Sequence, residues 1–360
     1  MVPASEQKGH GVIVLRCLVR PATVHLGVGK PKSAARANRV PPISCAHGLE
    51  RFLAASLSRR RIAVPPDLSC SIFRGGGLPK GVSMGASDIM RGVLAPVVTP
   101  FKADLTPNKQ RLIRHCRWLL SQDCGLAVFG TNSEANSLTM DERFELLDGL
   151  VEAGIDPRRM MPGTGCCSFL DSVALCKRAV EHGCGGVLML PPFYYKDVND
   201  EGIYRNFAEI IERVGDDRLR IYLYHFPQMS AVPFSIDLVG RLLEDFPGIV
   251  VGMKDSSGDR ANLEAIMEAF PGFEMFAGNE TLLLANMRLG GVGCISATAN
   301  INPGGIVNLF DGWENDDADE IQKGLNAIRE AVQQFPLIPA MKQMISYYGG
   351  DAEWNRLRPP

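Results

Sequence analysis

A (β/α)₈ barrel with additional C-terminal helices is the fold class predicted by this 360-residue sequence, and three observations support it. From Gly92 onward, eight apolar runs alternate with eight segments of helical periodicity over roughly 220 residues. The runs are continuously apolar, as expected for parallel strands covered on both faces. No Gly-rich phosphate turn follows the first run, which argues against the main alternative, an open doubly wound sheet.

The first four strand–helix units each place a short apolar run before a longer segment whose apolar residues recur every three or four positions. Gly183 follows the third helical segment and is a typical helix stop. The predicted strands are GVLAPVVTPF, GLAVFG, RMMPGTG and GGVLMLPP, and their helices are PNKQRLIRHCRWLLSQ, MDERFELLDGLVEAG, SFLDSVALCKRAVEHG and DEGIYRNFAEIIERV.

The last four units repeat this order. Their predicted strands are RIYLYHFP, IVVGMK, FEMFAG and GVGCISATAN, and their helices are FSIDLVGRLLEDF, DRANLEAIMEAF, NETLLLANMRLG and NPGGIVNLFDGW. Two further helical patterns follow, ADEIQKGLNAIREAVQQF and PLIPAMKQMISYYG. We therefore expect the barrel to span residues 91–315 and a C-terminal helical appendage to span residues 316–348.

The N-terminal stretch, residues 1–88, differs from the rest of the chain. It carries 13 Lys or Arg against four Asp or Glu, is rich in Pro, Gly, Ser and Arg, and sustains no amphipathic period. This pattern predicts a disordered extension outside the fold. Two explanations are an over-long gene model, with translation starting at Met84 or Met90, and an organelle-targeting segment. A folded domain is the third alternative.

Composition limits the classes of partner. The sequence is 46% hydrophobic and 22% charged with a net charge of −2, which provides no electrostatic reason to expect nucleic acid or an anionic membrane. No run of 18 apolar residues predicts a membrane span. The ten cysteines show no C-x-x-C spacing, so we expect free thiols in a reducing compartment and a cytoplasmic location.

Lys254 ends the sixth predicted strand, IVVGMK, where an apolar run leads directly into an ammonium group. Reactive side chains of such barrels lie at the carboxyl-terminal ends of the strands. Lost hydration there favours a neutral amine, and a neutral amine can attack a ketone to form a Schiff base. The alternative interpretation is that Lys254 has no catalytic role and either reaches solvent or forms an ion pair with Asp255.

Tyr224 lies near the end of the neighbouring fifth strand, in YLYHFP, so both side chains are expected at the same barrel mouth. Schiff-base chemistry needs a proton carrier beside the amine, and a phenol can serve. After the second strand, GTNSEANSL supplies hydroxyls and exposed backbone N–H groups that can hold a carboxylate. Taken alone, this loop is equally explained as a helix-capping turn.

These stretches, together with GVLAPVVTPF, GTGCCSFLDS, LPPFYYK and AGNETLLLANMRLGGVGCISATANINP, resemble the dihydrodipicolinate synthase and N-acetylneuraminate lyase family over residues 91–345. The resemblance implies class I aldolase chemistry on pyruvate or a 2-keto acid, with no metal or other cofactor. It also implies a homotetramer built as a dimer of dimers.

By the same resemblance, Lys254 matches the Schiff-base lysine and Tyr224 the proton-carrying tyrosine. Thr131 matches the first hydroxyl of the family's G-T-T-G-E loop. The resemblance also assigns a substrate-binding set, which includes the tyrosine lent across a subunit contact; its members are Asn132, Ser133, Tyr194 and Ile295.

The sequence departs from the family pattern at three positions. Asn132 replaces the loop's second hydroxyl residue, and Ser133 replaces its glycine. Met229 stands five positions after Tyr224, where dihydrodipicolinate synthases carry an arginine that binds the second substrate's carboxylate. We therefore predict a lyase acting on another substrate, such as a 2-keto-3-deoxy sugar acid or an N-acetylneuraminate-like compound. A 4-hydroxy-tetrahydrodipicolinate synthase and a non-catalytic 2-keto acid sensor are the alternatives.

Overall fold

The computed structural model describes residues 90–359, and the predicted extension over residues 1–88 lies outside them. A parallel sheet occupies the centre of the described part, with strand order β2-β1-β7-β6-β5-β4-β3. Its strands are β1 (Gly92–Ala95), β2 (Gly125–Leu126), β3 (Val187–Met189), β4 (Ile221–His225), β5 (Val250–Asp255), β6 (Glu274–Ala277) and β7 (Gly293–Ile295).

Residues 160–163 close the sheet into a barrel. Met160 pairs with Leu126 of β2 and Gly163 pairs with Leu188 of β3, both as parallel bridges. The predicted strand RMMPGTG therefore occupies the correct place between β2 and β3, but it forms isolated bridges rather than a continuous strand. Pro162 lacks an N–H donor and can only accept, here from Leu188 N at 2.9 Å. The predicted (β/α)₈ architecture is confirmed with this local difference.

Helices cover the outside of the barrel and extend beyond it. They are α1 (Lys109–Leu120), α2 (Met140–Glu152), α3 (Phe169–His182), α4 (Asp200–Val214), α5 (Pro227–Ser230), α6 (Ile236–Asp245), α7 (Arg260–Ala269), α8 (Leu283–Arg288), α9 (Pro303–Asp311), α10 (Ala318–Gln333) and α11 (Leu337–Gly349). The short α5, in YHFPQMSAVPF, was not predicted. The eighth unit's helix is α9, and α10 and α11 are the predicted C-terminal helices. None of the helices in residues 90–359 is long and apolar enough to cross a membrane.

The barrel interior is a packed apolar cluster distinct from the larger core between sheet and helices. Its members are Met90, Leu94, Ala127, Met161, Leu188, Tyr222, Tyr224, Phe276, Val292 and Ile295. Tyr222 fits because its neighbours are glycines: a Cβ on Gly186 or Gly252 would lie 2.6 or 2.7 Å from its ring. Its hydroxyl donates to the carboxylate of Glu274 near the amino-terminal end of the barrel. Side chains thus fill that end and leave the opposite end for a site.

The C-terminal segment, residues 337–359, packs on α1 through contacts with His115. The His115 ring stacks on Trp118 at 5.5 Å between centroids and meets Trp354 edge-on at 5.2 Å. His115 Nε2 lies 3.1 Å from Asn300 Oδ1, which also accepts from Val98 N. Since that oxygen is an acceptor, the ring is assigned a proton on Nε2, which donates to it. Burial lowers the pKa of His115 to about 4.

This buried histidine predicts acid-sensitive stability. Because its folded pKa lies below the usual value of 6.5, the unfolded chain binds a proton that the folded chain excludes. The contribution of His115 to the free energy of unfolding is complete above about pH 6.5 and is lost as the pH falls toward 4. Between pH 7 and pH 5 we expect a loss on the order of 2 kcal/mol from this residue. Urea unfolding at both pH values measures it, and His115→Gln should show a correspondingly smaller difference; an equal difference contradicts the assignment.

Candidate active site

Lys254 and Tyr224 are paired residues of β5 and β4 at the carboxyl-terminal mouth of the barrel. Both are buried, with 3% and 4% of their surfaces exposed. Lys254 Nζ lies 4.1 Å from the centroid of the Tyr224 ring. The register of two parallel strands therefore places an amine over a phenol in the barrel interior, as cation–π pairs are arranged.

Asp255 follows Lys254 but belongs to another environment. Successive residues of a strand point to opposite faces, so Asp255 faces the surrounding helices. Its carboxylate accepts hydrogen bonds from Ser257 N at 2.8 Å and Asn262 Nδ2 at 2.9 Å. Beside it, burial lowers the pKa of His225, whose Nδ1 accepts from Phe234 N at 3.2 Å. Within residues 90–359, Lys254 has no carboxylate within ion-pair distance, so the alternative of a pair with Asp255 is not observed.

Thr131 extends this pair toward the loop after β2. Its Oγ1 lies 3.4 Å from the Tyr224 hydroxyl, at the long end of hydrogen-bond range. Thr131 opens a single 3₁₀ turn over Thr131–Ser133. The Lys254 amine, the Tyr224 phenol and the Thr131 hydroxyl thus lie next to one another, and we call these three groups the reactive line. A proton can pass between Tyr224 and Thr131 beside the Lys254 amine.

The loop carrying Thr131 is strained and is held by tertiary contacts. Phe129 (φ 59°) and Glu134 (φ 56°), on either side of it, both adopt the left-handed conformation that non-glycine residues avoid. Thr99 Oγ1 donates to Ser133 O at 2.7 Å. Glu134 forms a buried ion pair with Lys342 of α11. These contacts offset the strain and fix the loop conformation.

The C-terminal segment closes over the same loop. Lys342 is fully buried and also donates to Arg356 O at 2.9 Å. Burial lowers the pKa of Lys342, while Glu134 opposes that shift. Arg358 donates to Ser137 O at 2.6 Å and to Glu142 at 2.7 Å. Two cations from the end of the chain therefore hold the loop that positions Thr131.

Removing the Lys342 cation should both destabilise the fold and loosen this loop. Lys342→Met leaves Glu134 as a buried carboxylate without its partner, a change that typically costs about 3–5 kcal/mol. Urea unfolding should show that loss, and the double variant Lys342→Met with Glu134→Gln should recover much of it because no charge remains buried. Equal stability of the single variant and the native chain would contradict this role.

A cavity of about 330 Å³ opens beside Tyr224 and Thr131, in the usual size range of small-molecule sites. It is lined by Phe129, Gly130, Thr131, Glu134, Ala135, Asn136, Ser137, Gly163, Gly165, Leu188, Leu190, Tyr224, Met229, Ile338, Pro339, Leu357 and Arg358. Lys254 is not a lining residue, but its Nζ contacts the ring of Tyr224, which is one. The cavity therefore adjoins the reactive line and provides room for a substrate.

None of the four predicted substrate-binding residues lines this cavity, although three of them lie close to residues of the site. Ser133 is buried and its Oγ has no hydrogen-bond partner in the described residues, so it can donate to a ligand. Asn132 lies beside it, partly exposed. Ile295 is buried in the barrel interior with Tyr224. Tyr194 is 73% exposed, stacks edge-on against Tyr195 and does not line the cavity.

Sequence reasoning missed the contribution of the C-terminal segment. Lys342 in PAMKQ and Arg358 in RLRPP each stand among apolar or proline residues. A lysine in an apolar helical pattern is a signal that a buried partner exists. Nothing in the sequence identifies that partner as Glu134, which is 208 positions away.

Within residues 90–359, no group of three or more His, Cys, Asp or Glu is placed to hold a metal ion.

A lysine amine, a phenol and a hydroxyl at the mouth of a (β/α)₈ barrel are the groups that class I aldolase chemistry uses. The model of the dihydrodipicolinate synthetase family matches residues 89–360. The chain is 33% identical over 279 residues to the 4-hydroxy-tetrahydrodipicolinate synthase of Thermus thermophilus, covering 76% of this chain and 90% of that protein. It is 29% identical over 260 residues to an uncharacterized DapA-like lyase of Chloroflexus aurantiacus, covering 71% and 86%.

Solved structures give the same result. Dihydrodipicolinate synthase from Agrobacterium tumefaciens superposes with a TM-score of 0.69 at 33% identity, covering 75% of this chain and 93% of that one. N-acetylneuraminate lyase from Fusobacterium nucleatum gives 0.68 at 25% identity, covering 76% and 92%. A prophage protein of the family from E. coli K12, solved in complex with pyruvate, gives 0.69 at 25% identity, covering 76% and 93%. The chain belongs to the dihydrodipicolinate synthetase family.

Proposed function

We propose that this protein is a Schiff-base lyase that takes pyruvate, or a 2-keto acid that yields pyruvate, and makes or breaks a carbon–carbon bond next to the ketone. One observation supports this most strongly: the buried Lys254 amine lies over the ring of Tyr224, whose hydroxyl is within 3.4 Å of Thr131. The relative solved in complex with pyruvate supports the choice of substrate.

Each residue of the line has a distinct role in this proposal. The Lys254 amine attacks the ketone carbon, and loss of water gives an imine that withdraws electrons from the adjacent carbon. Tyr224 carries the proton that this carbon gives up and returns it at the end, with Thr131 as its hydrogen-bond partner. In this proposal the unpartnered Ser133 hydroxyl and the side chain of Asn132 bind the substrate carboxylate, and Ile295, which lies in the barrel interior with Tyr224, is nearby.

The second substrate is proposed to differ from aspartate semialdehyde. Met229 is 60% exposed and lines the cavity where an arginine would bind a carboxylate. A thioether cannot replace the paired N–H donors of a guanidinium. Sugar-derived 2-keto acids and less polar compounds do not need a guanidinium to bind a second carboxylate. The Thermus relative keeps the synthase alternative open, and weak synthase activity is the expected result.

Exchange of the pyruvate methyl protons for deuterium tests this function without any second substrate. In D₂O the native protein should catalyse exchange at a rate far above the uncatalysed one, because imine formation acidifies that carbon and Tyr224 carries the proton. Lys254→Met should abolish exchange, and the surface variant Lys323→Met provides a matched control. A non-catalytic 2-keto acid sensor would bind pyruvate and exchange nothing, and that result would reject the proposal.

We further propose a homotetramer in a reducing, cytoplasmic location. The seven cysteines of the described residues are free thiols, which supports a reducing compartment. Tyr194 and Tyr195, both largely exposed, provide an apolar contact surface that a second subunit can cover. Sedimentation at micromolar concentration tests the assembly, and a monomer would reject it.

A further inference from the structure

The cavity beside the reactive line has an apolar outer wall. Leu190, Met229, Ile338 and Leu357 all line it and all retain some exposure, so their side chains face the open space. Phe129 and Leu188 also line the cavity and are buried. A substrate group placed here would lose water mainly against hydrocarbon, which favours apolar groups.

The charged residues of the wall are already paired. Arg358 donates to Glu142, Ser137 O and Leu105 O, so its guanidinium is occupied. Glu134 is paired with Lys342. Among the described lining residues no unpaired cation remains for a second carboxylate, and a charged substrate would leave its charge unmatched on desolvation.

Polar side chains next to Met229 are also engaged. Gln228 Nε2 donates to Ser257 O at 2.6 Å. Ser230 Oγ lies within hydrogen-bond distance of the backbone oxygens of Phe226 and Val232 and can donate to either. Neither side chain lines the cavity, so neither is placed to bind a sugar's hydroxyl groups there. Besides Thr131 and Tyr224, the uncharged polar side chains that line the cavity are those of Asn136 and Ser137, which can orient one carbonyl oxygen.

We infer that the second substrate is an uncharged, largely apolar aldehyde, aromatic or branched aliphatic, or the 4-hydroxy-2-oxo acid made from it. The inference rests on the proposed function. Loss of water during imine formation takes the hydroxyl proton of Tyr224, and the resulting phenolate removes a proton from the pyruvate methyl group to give an enamine, whose carbon attacks the aldehyde carbon. One carbon–carbon bond forms, the carbonyl π bond breaks, and the oxygen takes the proton from Tyr224. Water then hydrolyses the imine and releases the 4-hydroxy-2-oxo acid and the Lys254 amine. One pyruvate and one aldehyde therefore combine into one product molecule.

Three aldehydes separate the possibilities: benzaldehyde as the apolar probe, glyceraldehyde as the hydroxylated probe and aspartate semialdehyde as the charged probe. Initial rates of condensation with pyruvate, followed by product mass, should give benzaldehyde the highest kcat/KM, by about 10-fold or more, since one methylene in an apolar pocket changes discrimination by about 10- to 200-fold. A higher value for either other aldehyde overturns the inference. The inference is also overturned if none of the three aldehydes condenses while deuterium exchange into pyruvate shows that the imine forms. If no exchange occurs, the proposed function itself is rejected.

Leu357→Asn should test the wall directly. It places an amide among the apolar lining groups, so kcat/KM for benzaldehyde should fall about 10-fold or more relative to that for glyceraldehyde. Leu289→Asn is the matched control, because Leu289 is similarly apolar, 41% exposed and outside the cavity lining, and it should leave the ratio unchanged. Deuterium exchange into pyruvate, measured on both variants, identifies any general loss of the fold. An unchanged ratio in Leu357→Asn overturns the inference.

Discussion

Lys254→Met is expected to abolish turnover, with a loss on the order of 10⁴-fold or more, because the imine cannot form without the amine. The fold should survive. Lys254 is buried and its amine contacts the Tyr224 ring, and methionine, an apolar side chain of similar length, can fill the same space without burying a polar group. Steady-state kinetics and a thermal melt on the same preparation measure both effects.

Lys254→Arg separates covalent from electrostatic roles. The guanidinium keeps a positive charge near the Tyr224 ring but stays protonated and does not form an imine. We expect it to be as inactive as Lys254→Met. Substantial activity in the arginine variant would mean that position 254 supplies charge rather than a covalent bond.

Tyr224→Phe should slow turnover by about 10²- to 10⁴-fold, the usual range for losing a positioned acid–base group. The variant keeps the aromatic ring against Lys254 Nζ and removes only the hydroxyl that meets Thr131. Imine formation should therefore persist while proton transfer fails. The loss should appear in kcat rather than in KM.

Tyr222→Phe is the matched control, since Tyr222 lies on the same strand and points into the same barrel. Its hydroxyl bonds to Glu274 at the other end of the barrel, and burial, with Glu274, raises the pKa of that phenol far above its usual value. We expect Tyr222→Phe to alter stability and to leave kcat nearly unchanged. A similar fall in kcat for both variants would remove the special role of Tyr224.

Most of the barrel could be predicted because its strands are apolar runs bounded by turn residues. The exception, residues 160–163, has the expected apolar character, but Pro162 lacks a donor and the segment closes the barrel through single bridges. Sequence patterns locate such a segment without fixing how continuously it pairs. The helix α5 was missed because four residues are too few to show a period.

The candidate site was predictable only in part, for a similar reason. Lys254 and Tyr224 end neighbouring strands, so strand order alone brings them together. The Glu134–Lys342 pair joins the loop after β2 to a C-terminal helix, and no local pattern encodes contacts between such distant segments. The paired state of Arg358 and the resulting apolar character of the cavity depend on these same long-range contacts.

Borohydride reduction in the presence of pyruvate tests the central claim most directly. An imine between Lys254 and pyruvate would be reduced to a stable secondary amine, and digestion followed by mass spectrometry would locate it. We expect one pyruvate-derived group per chain, on the peptide that contains Lys254, and none in Lys254→Met. Modification of a different lysine, or an active and unmodified protein, would contradict the proposed chemistry.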